Sequence, residues 1–249
     1  MKKIIDILIR YYLIFLLIIT WQLLSTFNVV PKFLLPSPID VVNAFIKDFS
    51  LIMKHTKYTI IEAFSGLFLG TLFAFILSII MDRFDFMYKI TMPMLIITQT
   101  IPTVAIAPLL VLWFGYGMSS KILLVIITTF FPITVALLDG YRSVDKESLI
   151  LLKSMGANKL QEYVHVKLPS SLNYFFAGFR ISVSYSLIGA VVAEWLGGFY
   201  GLGVYMTRVR KSYSFDKMFA VIFFISALSL FLITLVSKLE KYIVKWEEK

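Results

Sequence analysis

The sequence predicts an all-α, polytopic membrane protein with about six spanning helices. Two observations carry that class. Of 249 residues, 59% are hydrophobic and only 16% are charged, where a soluble domain carries about 25% charged residues. The apolar residues also gather into separate runs of roughly 20, the length that crosses a bilayer as a helix. The formal charge of +9 does not call for nucleic acid. Membrane proteins collect Lys and Arg in loops and beside lipid headgroups. The absence of cysteine excludes disulfides, thiolate metal sites and Cys-ligated iron–sulfur clusters.

The spans follow in order. The first apolar run, 11–30, comes after Lys2, Lys3 and Arg10 and continues to Pro31. It has no small-residue cleavage site, so it reads as a retained helix rather than a signal peptide. The second is 58–81. The third, 90–114, is interrupted by Pro93, Pro102 and Pro108. The fourth is 122–138, the fifth 174–196 and the sixth 218–236. Residues 31–57 leave the first run through Pro31, Pro36 and Pro38, which keep the chain extended. Residues 39–53 then have the mixed polarity of an interfacial helix. Residues 197–217 open on Gly197-Gly198 and Gly201-Leu202-Gly203, which permit tight turns and close packing.

Positive charge sets the expected orientation. With the N-terminus inside, the inner segments hold fourteen Lys and Arg residues: Lys2, Lys3, Arg10, Arg83, Lys89, Arg142, Lys146, Lys153, Lys159, Lys167, Lys238, Lys241, Lys245 and Lys249. The outer segments hold nine: Lys32, Lys47, Lys54, Lys57, Lys121, Arg208, Arg210, Lys211 and Lys217. That bias places both termini in the cytoplasm.

The longest polar interruption, 141–169, lies on the inner side and carries helix signals of its own. Asp145 is placed to cap a helix, with Glu147 in its first turn. Leu149, Ile150, Leu151, Leu152 and Met155 give that helix an apolar ridge. Gly156 stands where the helix stops, in a position suited to the left-handed conformation. Asn158 and Gln161 then have capping-box spacing for a second helix. That helix runs toward Leu168-Pro169, where proline ends it or starts the next span. Helix, glycine bend, helix and proline fit two readings. One is a pair of interfacial helices. The other is a ridge docking into the groove of a cytoplasmic partner.

These residues carry a resemblance. Gly156, nine residues, then Val166-Lys167-Leu168-Pro169 resembles the signature loop of permease subunits from ATP-binding-cassette importers, with Val166 in place of isoleucine. The Glu-Ala-Ala of that signature is replaced by Ile150, Leu151 and Leu152, and Glu147 lies about one turn earlier. Further motifs resemble the nitrate, sulfonate and taurine permease subfamily: Leu35-Pro36-Ser37-Pro38, Glu62-Ala63-Phe64-Ser65-Gly66, Ile101-Pro102 through Pro108-Leu109, Trp113-Phe114-Gly115-Tyr116-Gly117 and Gly201-Leu202-Gly203. A narrower set looks like permeases for pyrimidine precursors of thiamine: Thr98-Gln99-Thr100-Ile101-Pro102, Asp139-Gly140-Tyr141-Arg142, Gly189 through Trp195, and Met218-Phe219-Ala220.

The resemblance implies the type I importer permease fold over 1–249, a single transmembrane domain with a cytoplasmic coupling loop at 141–169. It implies that Glu147, Leu151, Leu152, Gly156, Ala157, Leu168 and Pro169 couple the spans to a separate ATPase subunit, which would hold ATP-Mg. No cofactor is expected in this chain. It also implies an extracytoplasmic substrate-binding protein, a homodimer in the cell membrane and a small polar solute. The solute is a thiamine pyrimidine precursor or, as the alternative, a sulfonate, taurine or nitrate.

Ionisable groups inside spans are costly and point to function. Glu194, beside Trp195 at the outer end of the fifth span, reads either as a pathway group or as an interfacial residue paired with Arg208. Arg180 reads as a snorkelling residue. Thr98, Gln99 and Thr100 lie mid-span beside Pro102. They fit a water-lined pathway or ordinary helix–helix hydrogen bonding. A membrane-embedded enzyme would need a convergent set of groups, and Glu62, Arg180 and Glu194 are far apart in sequence. The stretch from Gly115 to Lys121 has Ser120 where a phosphate-binding loop has glycine. His165, in the inner loop, suits a surface position better than a metal site. A passive channel would need no docking loop.

Overall fold

The protein is described from a computed structural model. It covers residues 2–244, with side chains from Tyr12 onward. Of the charges used for orientation, Lys2, Lys3, Arg10, Lys245 and Lys249 lie outside the described side chains.

The elements, in order, are α1 (Lys2–Thr26), α2 (Pro38–Lys47), α3 (Phe49–Arg83), α4 (Asp85–Thr100), α5 (Thr103–Phe114), α6 (Met118–Arg142), α7 (Lys146–Ser154), α8 (Lys159–Glu162), a π-helical turn (Tyr163–Lys167), α9 (Leu168–Trp195), α10 (Leu202–Lys211) and α11 (Phe215–Ile243). Four stretches are long and apolar enough to cross a membrane: α3, α6, Lys159–Trp195 and α11. The α4–α5 pair makes a fifth, bent by 97°. The apolar part of the first helix, Tyr12–Thr26, is shorter.

The expected third span is therefore a broken one. Its break falls at Ile101-Pro102, between the end of α4 and the start of α5. Proline at 102 removes a helical donor and restricts the residue before it. Pro93 and Pro108 lie inside their helices without breaking them. Two further expectations are corrected. The first helix ends at Thr26 rather than 30. The interfacial stretch 39–53 divides at Asp48, because α3 begins at Phe49 and runs for 35 residues. Ser37 starts α2 with a capping box to Asp40, a signal the sequence reading passed over.

The central helix is α6, packed against α3, α5 and α9. Small residues let these helices approach closely. A Cβ on Gly66 would lie 2.4 Å from that of Val125, and one on Gly178 would lie 2.7 Å from the Pro132 carbonyl oxygen. Leu67, Val125, Val183 and Leu187 fill the layer between α3, α6 and α9. Ala74, Met81, Ile133, Leu137 and Tyr141 fill the layer nearer the α7–α8 loop. The first helix is tied in through Trp21. Its indole Nε1 donates to the Pro36 carbonyl at 2.9 Å, and its ring stacks on Phe223.

Candidate functional site

Three regions of the molecule hold candidate chemistry. The first is the loop at 141–169. Asp145 caps α7 by accepting from the backbone N–H groups of Glu147 and Ser148, at 3.3 and 3.2 Å. Those two N–H bonds hold its exposed carboxyl below the usual carboxylate range. The helix ends in a paired closure. The Gly156 N–H donates to Lys153 O, and the Ala157 N–H donates to Leu152 O. This closure places Gly156 at φ +83°, a conformation that costs glycine little. Asn158 and Gln161 form the reciprocal capping box.

At Leu168-Pro169 the proline starts the next span, the second of the two outcomes expected there. The chain stays helical from Lys159 to Trp195 through the π turn at Tyr163–Lys167, with Pro169 in the first turn of α9. Its missing N–H interrupts the i→i−4 ladder there, directly after the π turn. The loop's apolar residues divide into two sets. Leu149, Leu152 and Leu168 are half-buried, whereas Ile150, Leu151, Met155 and Leu160 are 63%, 64%, 77% and 71% exposed. Glu147 is exposed, and Ala157 and Pro169 are half-buried.

The second region is a cavity of about 300 Å³ at the α4–α5 break, where α6 and α9 pass. Thr98, Gln99, Pro102, Thr103, Thr128 and Tyr185 contribute to its wall, together with Ile101, Ile127, Ile188 and Gly189. None of these is charged. Thr100 is absent from the wall, and its hydroxyl donates to Ile97 O at 2.8 Å. The Thr98 hydroxyl donates to Leu95 O at 2.6 Å. Gln99 and Tyr185 also line an adjoining cavity of about 480 Å³ that reaches Asp139 near the C-terminal end of α6. The two cavities thus share walls along α4, α6 and α9. Thr128 and Tyr185 were not singled out from sequence, and Asp139 only within the Asp139-Gly140-Tyr141-Arg142 motif. Their signal, a polar group within or at the end of an apolar run, is shared by many packing residues.

The third region is a buried polar cluster where α9 turns into α10. Glu194 is 0% exposed and Glu62 1%. The Thr59 hydroxyl donates to Glu194 Oε1 at 2.7 Å, and the Gly203 N–H donates to Glu194 Oε2 at 2.6 Å. Thr59 Oγ1 in turn accepts from the Leu202 N–H at 2.8 Å, and His55 Nδ1 accepts from the Gly201 N–H at 3.0 Å. Lys121, 5% exposed, donates to Glu62 Oε1 at 2.9 Å and to Tyr200 O at 3.4 Å.

The structure places several of the expected residues as follows. Glu194 does not line the cavity at the helix break and does not pair with Arg208, which donates to Phe199 O. Trp195 is also absent from that wall and is 45% exposed. Lys121, counted above with the outer loop charges, is a buried helical residue. Arg180 is not left to the headgroups alone. It pairs with Glu240 of α11. His165 is exposed, as expected of a loop residue.

A neighbouring tie holds the same end of the molecule together. Asp48 accepts from the Tyr205 hydroxyl at 2.8 Å and from Lys217 at 2.7 Å. Burial raises its carboxyl, but the bonds from Lys217 and Tyr205 outweigh that and hold it below the usual range. Among the described residues no group of His, Asp and Glu is arranged to hold a metal ion.

Comparison with known proteins agrees with this architecture. Residues 66–245 match the family model described as the binding-protein-dependent transport system inner membrane component. The chain is 39% identical over 214 residues to a probable ABC transporter permease protein of Haemophilus influenzae, covering 86% of this chain and 87% of that one. It is 36% identical over 235 residues to the formylaminopyrimidine transport permease protein ThiX of Halalkalibacterium halodurans, covering 94% of each. A solved amino acid ABC transporter shares the fold at a TM-score of 0.64 and 14% identity, over 81% of this chain and 96% of that one. The chain therefore belongs to the binding-protein-dependent transport system inner membrane components, as a multi-pass permease subunit of an ATP-binding-cassette importer that works with an ATPase and a substrate-binding protein.

Proposed function

We propose that two copies of this chain form one pathway that brings an uncharged, nitrogen-rich heterocycle of the thiamine-precursor type into the cytoplasm. The observation that carries this reading is the uncharged wall of the cavity at the α4–α5 break. A sulfonate or nitrate crossing there would meet no Lys or Arg, whereas an aminopyrimidine finds an amide, hydroxyls and apolar surface. The relative ThiX, named for formylaminopyrimidine transport, supports the same choice. Thr98, Gln99 and Pro102 are assigned to the pathway. Glu194 and Trp195 are assigned to the structure at its outer end.

In this reading the whole chain is one domain, both termini are cytoplasmic, and 141–169 is the coupling loop. Ile150, Leu151, Met155 and Leu160 form the ridge that enters the ATPase groove. Leu152, Leu168 and Pro169 connect that ridge to the spans, Gly156 and Ala157 form the bend, and Glu147 stands on the exposed side of α7. ATP-Mg binds in the partner ATPase. The purified complex should contain two copies of this chain and two ATPase subunits. A transport-competent assembly with a single copy would overturn the pairing.

The substrate is tested by calorimetry on the partner binding protein and by uptake into vesicles holding the whole complex. Binding of a formylaminopyrimidine by that protein and its uptake by the complex are expected, with uptake alone reduced at least tenfold by Gln99→Leu. Tight binding of a sulfonate with none of the pyrimidine would reject the heterocycle.

A further inference from the structure

A cavity of about 660 Å³ lies between the inner end of α3 and the α7–α8 loop. It is separate from the pathway cavities and meets the exposed coupling ridge only at Leu160. None of Ile150, Leu151 and Met155 lines it. Its wall carries four cations, Arg83, Lys153, Lys159 and Lys167, and two carboxylates, Asp82 and Glu162. Asp82 is already neutralised by Lys167 at 2.5 Å. Arg83, Lys153 and Lys159 then face one remaining acid. They form no ion pair with protein among the described residues. The cavity thus presents a surplus of positive charge.

Its position adds a second, independent feature. The apolar run of α3 stops at Met81, just before Asp82-Arg83, and α9 begins at Leu168. The cavity therefore stands at the depth where apolar helix gives way to charge. Ile79, in its wall, is the last member of an exposed stripe on α3: Phe68, Leu72, Ile76 and Ile79. These positions are spaced by four, four and three residues, so they share one helix face. The stripe runs roughly 16 Å along the axis, at about 1.5 Å per residue. A basic pocket at the foot of an apolar stripe fits one kind of molecule, with an anionic head and a hydrocarbon tail.

We infer that this cavity is a binding site for an anionic phospholipid of the leaflet on the coupling-loop side. Arg83, Lys153 and Lys159 receive the phosphate, and an acyl chain lies along Phe68, Leu72 and Ile76. Basic pockets between membrane helices bind such headgroups, and each cation near the surface strengthens binding. Arg83 makes the largest contribution, because its planar fork meets two phosphate oxygens at once. The assignment is independent of the solute that the permease carries.

The test uses the full-length chain in detergent, given phosphatidylglycerol or phosphatidylcholine and examined by native mass spectrometry. Phosphatidylglycerol should be retained preferentially. Arg83→Gln should weaken retention about fivefold, the equivalent of one surface cation, and Arg83→Lys should restore part of it. On the wild-type chain, phosphatidylglycerol with a photoreactive acyl chain should label 68–79 in preference to the exposed α11 residues Leu230, Phe231 and Leu235. That arm does not depend on any variant folding. Equal retention of both lipids, or labelling spread evenly over α11, overturns the site. If inorganic phosphate raises the melting temperature as much as phosphatidylglycerol does, the cavity takes a free anion and the lipid assignment fails. If Leu72→Cys crosslinks two copies of the chain through the stripe, a second subunit covers it and the lipid assignment also fails.

Discussion

At the α7–α8 loop, large apolar side chains stand out in solvent while polar side chains complete local helix caps. Where α9 turns into α10, the arrangement reverses. Carboxylates, a lysine and a histidine are buried, and most of their polar contacts reach far across the sequence. Asp145 acts on residues two and three positions away. Glu194 is reached by Thr59, 135 residues distant, and Gly201 by His55, 146 residues distant. A surface meant to dock can be built from local rules and left unpartnered. A buried polar group must be satisfied by whatever the fold brings to it, because an unmet buried charge is costly. The first region should therefore tolerate substitution without unfolding, and the second should not.

The sharpest break in that contrast is Lys121→Met, which strands Glu62 without its partner. A loss of about 3–5 kcal/mol in unfolding free energy is expected, since removing one member of a buried pair leaves a bare charge. The double variant Lys121→Met/Glu62→Gln should recover a good part. Lys153→Met in the loop should stay within about 0.5 kcal/mol of the parent. Denaturant unfolding in detergent measures all three. Equal losses for Lys121 and Lys153 would erase the distinction between the regions.

A glycine pair sharpens it. Gly201 has φ +124°, and a Cβ there would lie 2.2 Å from the Glu194 carboxyl carbon. Gly201→Ala should cost about 1–3 kcal/mol in backbone strain alone, with the steric conflict added. Gly156 has φ +83° but nothing within 4 Å of its Cβ position. Gly156→Arg should cost only about 1–2 kcal/mol and should leave membrane insertion intact. Transport should nevertheless fall, because the bend and the docking ridge are disturbed. Unchanged ATPase binding and transport in that variant would remove the coupling role from the loop.

The smallest effect is a matter of pH. The Asp145 carboxyl is held below its ordinary range by its cap bonds. Its contribution is complete above the ordinary carboxylate range, about pH 4, and is lost as pH falls through the lowered folded value. Protection of the Glu147 and Ser148 amides against hydrogen exchange, corrected for intrinsic rates, should decline in that acid window. In Asp145→Ala it should be weak at every pH. The protection of Gly203 should be unaffected by the same variant.

The legibility of these regions from sequence follows the same physics. The Asp145 cap, the Gly156 bend and the Asn158–Gln161 box were all readable, because their partners lie within three residues or so in sequence. The apolar runs identified a membrane protein for a similar reason: the bilayer imposes length and composition on each helix separately. The 97° break at Ile101-Pro102 was readable only as an interruption. Three prolines lie in that run, and the sequence does not say which of them bends the chain. Pro93 and Pro108 sit within helices that continue past them.

What the sequence determined by itself was the class, the loop's local architecture and the family resemblance, all consequences of short-range pattern. What only the tertiary structure decided was the company each buried polar group keeps. Glu62, Lys121 and Glu194 come from three helices and meet with Thr59 and the Gly201–Gly203 backbone in one cluster. Arg180 instead joins Glu240. The same holds at the cavity: Gln99 meets Tyr185 in its wall while Glu194 turns into the interior. Caps and spans are set by neighbours along the chain. Burial and pairing are set by neighbours in space, which α3, α6 and α9 supply only once they have packed.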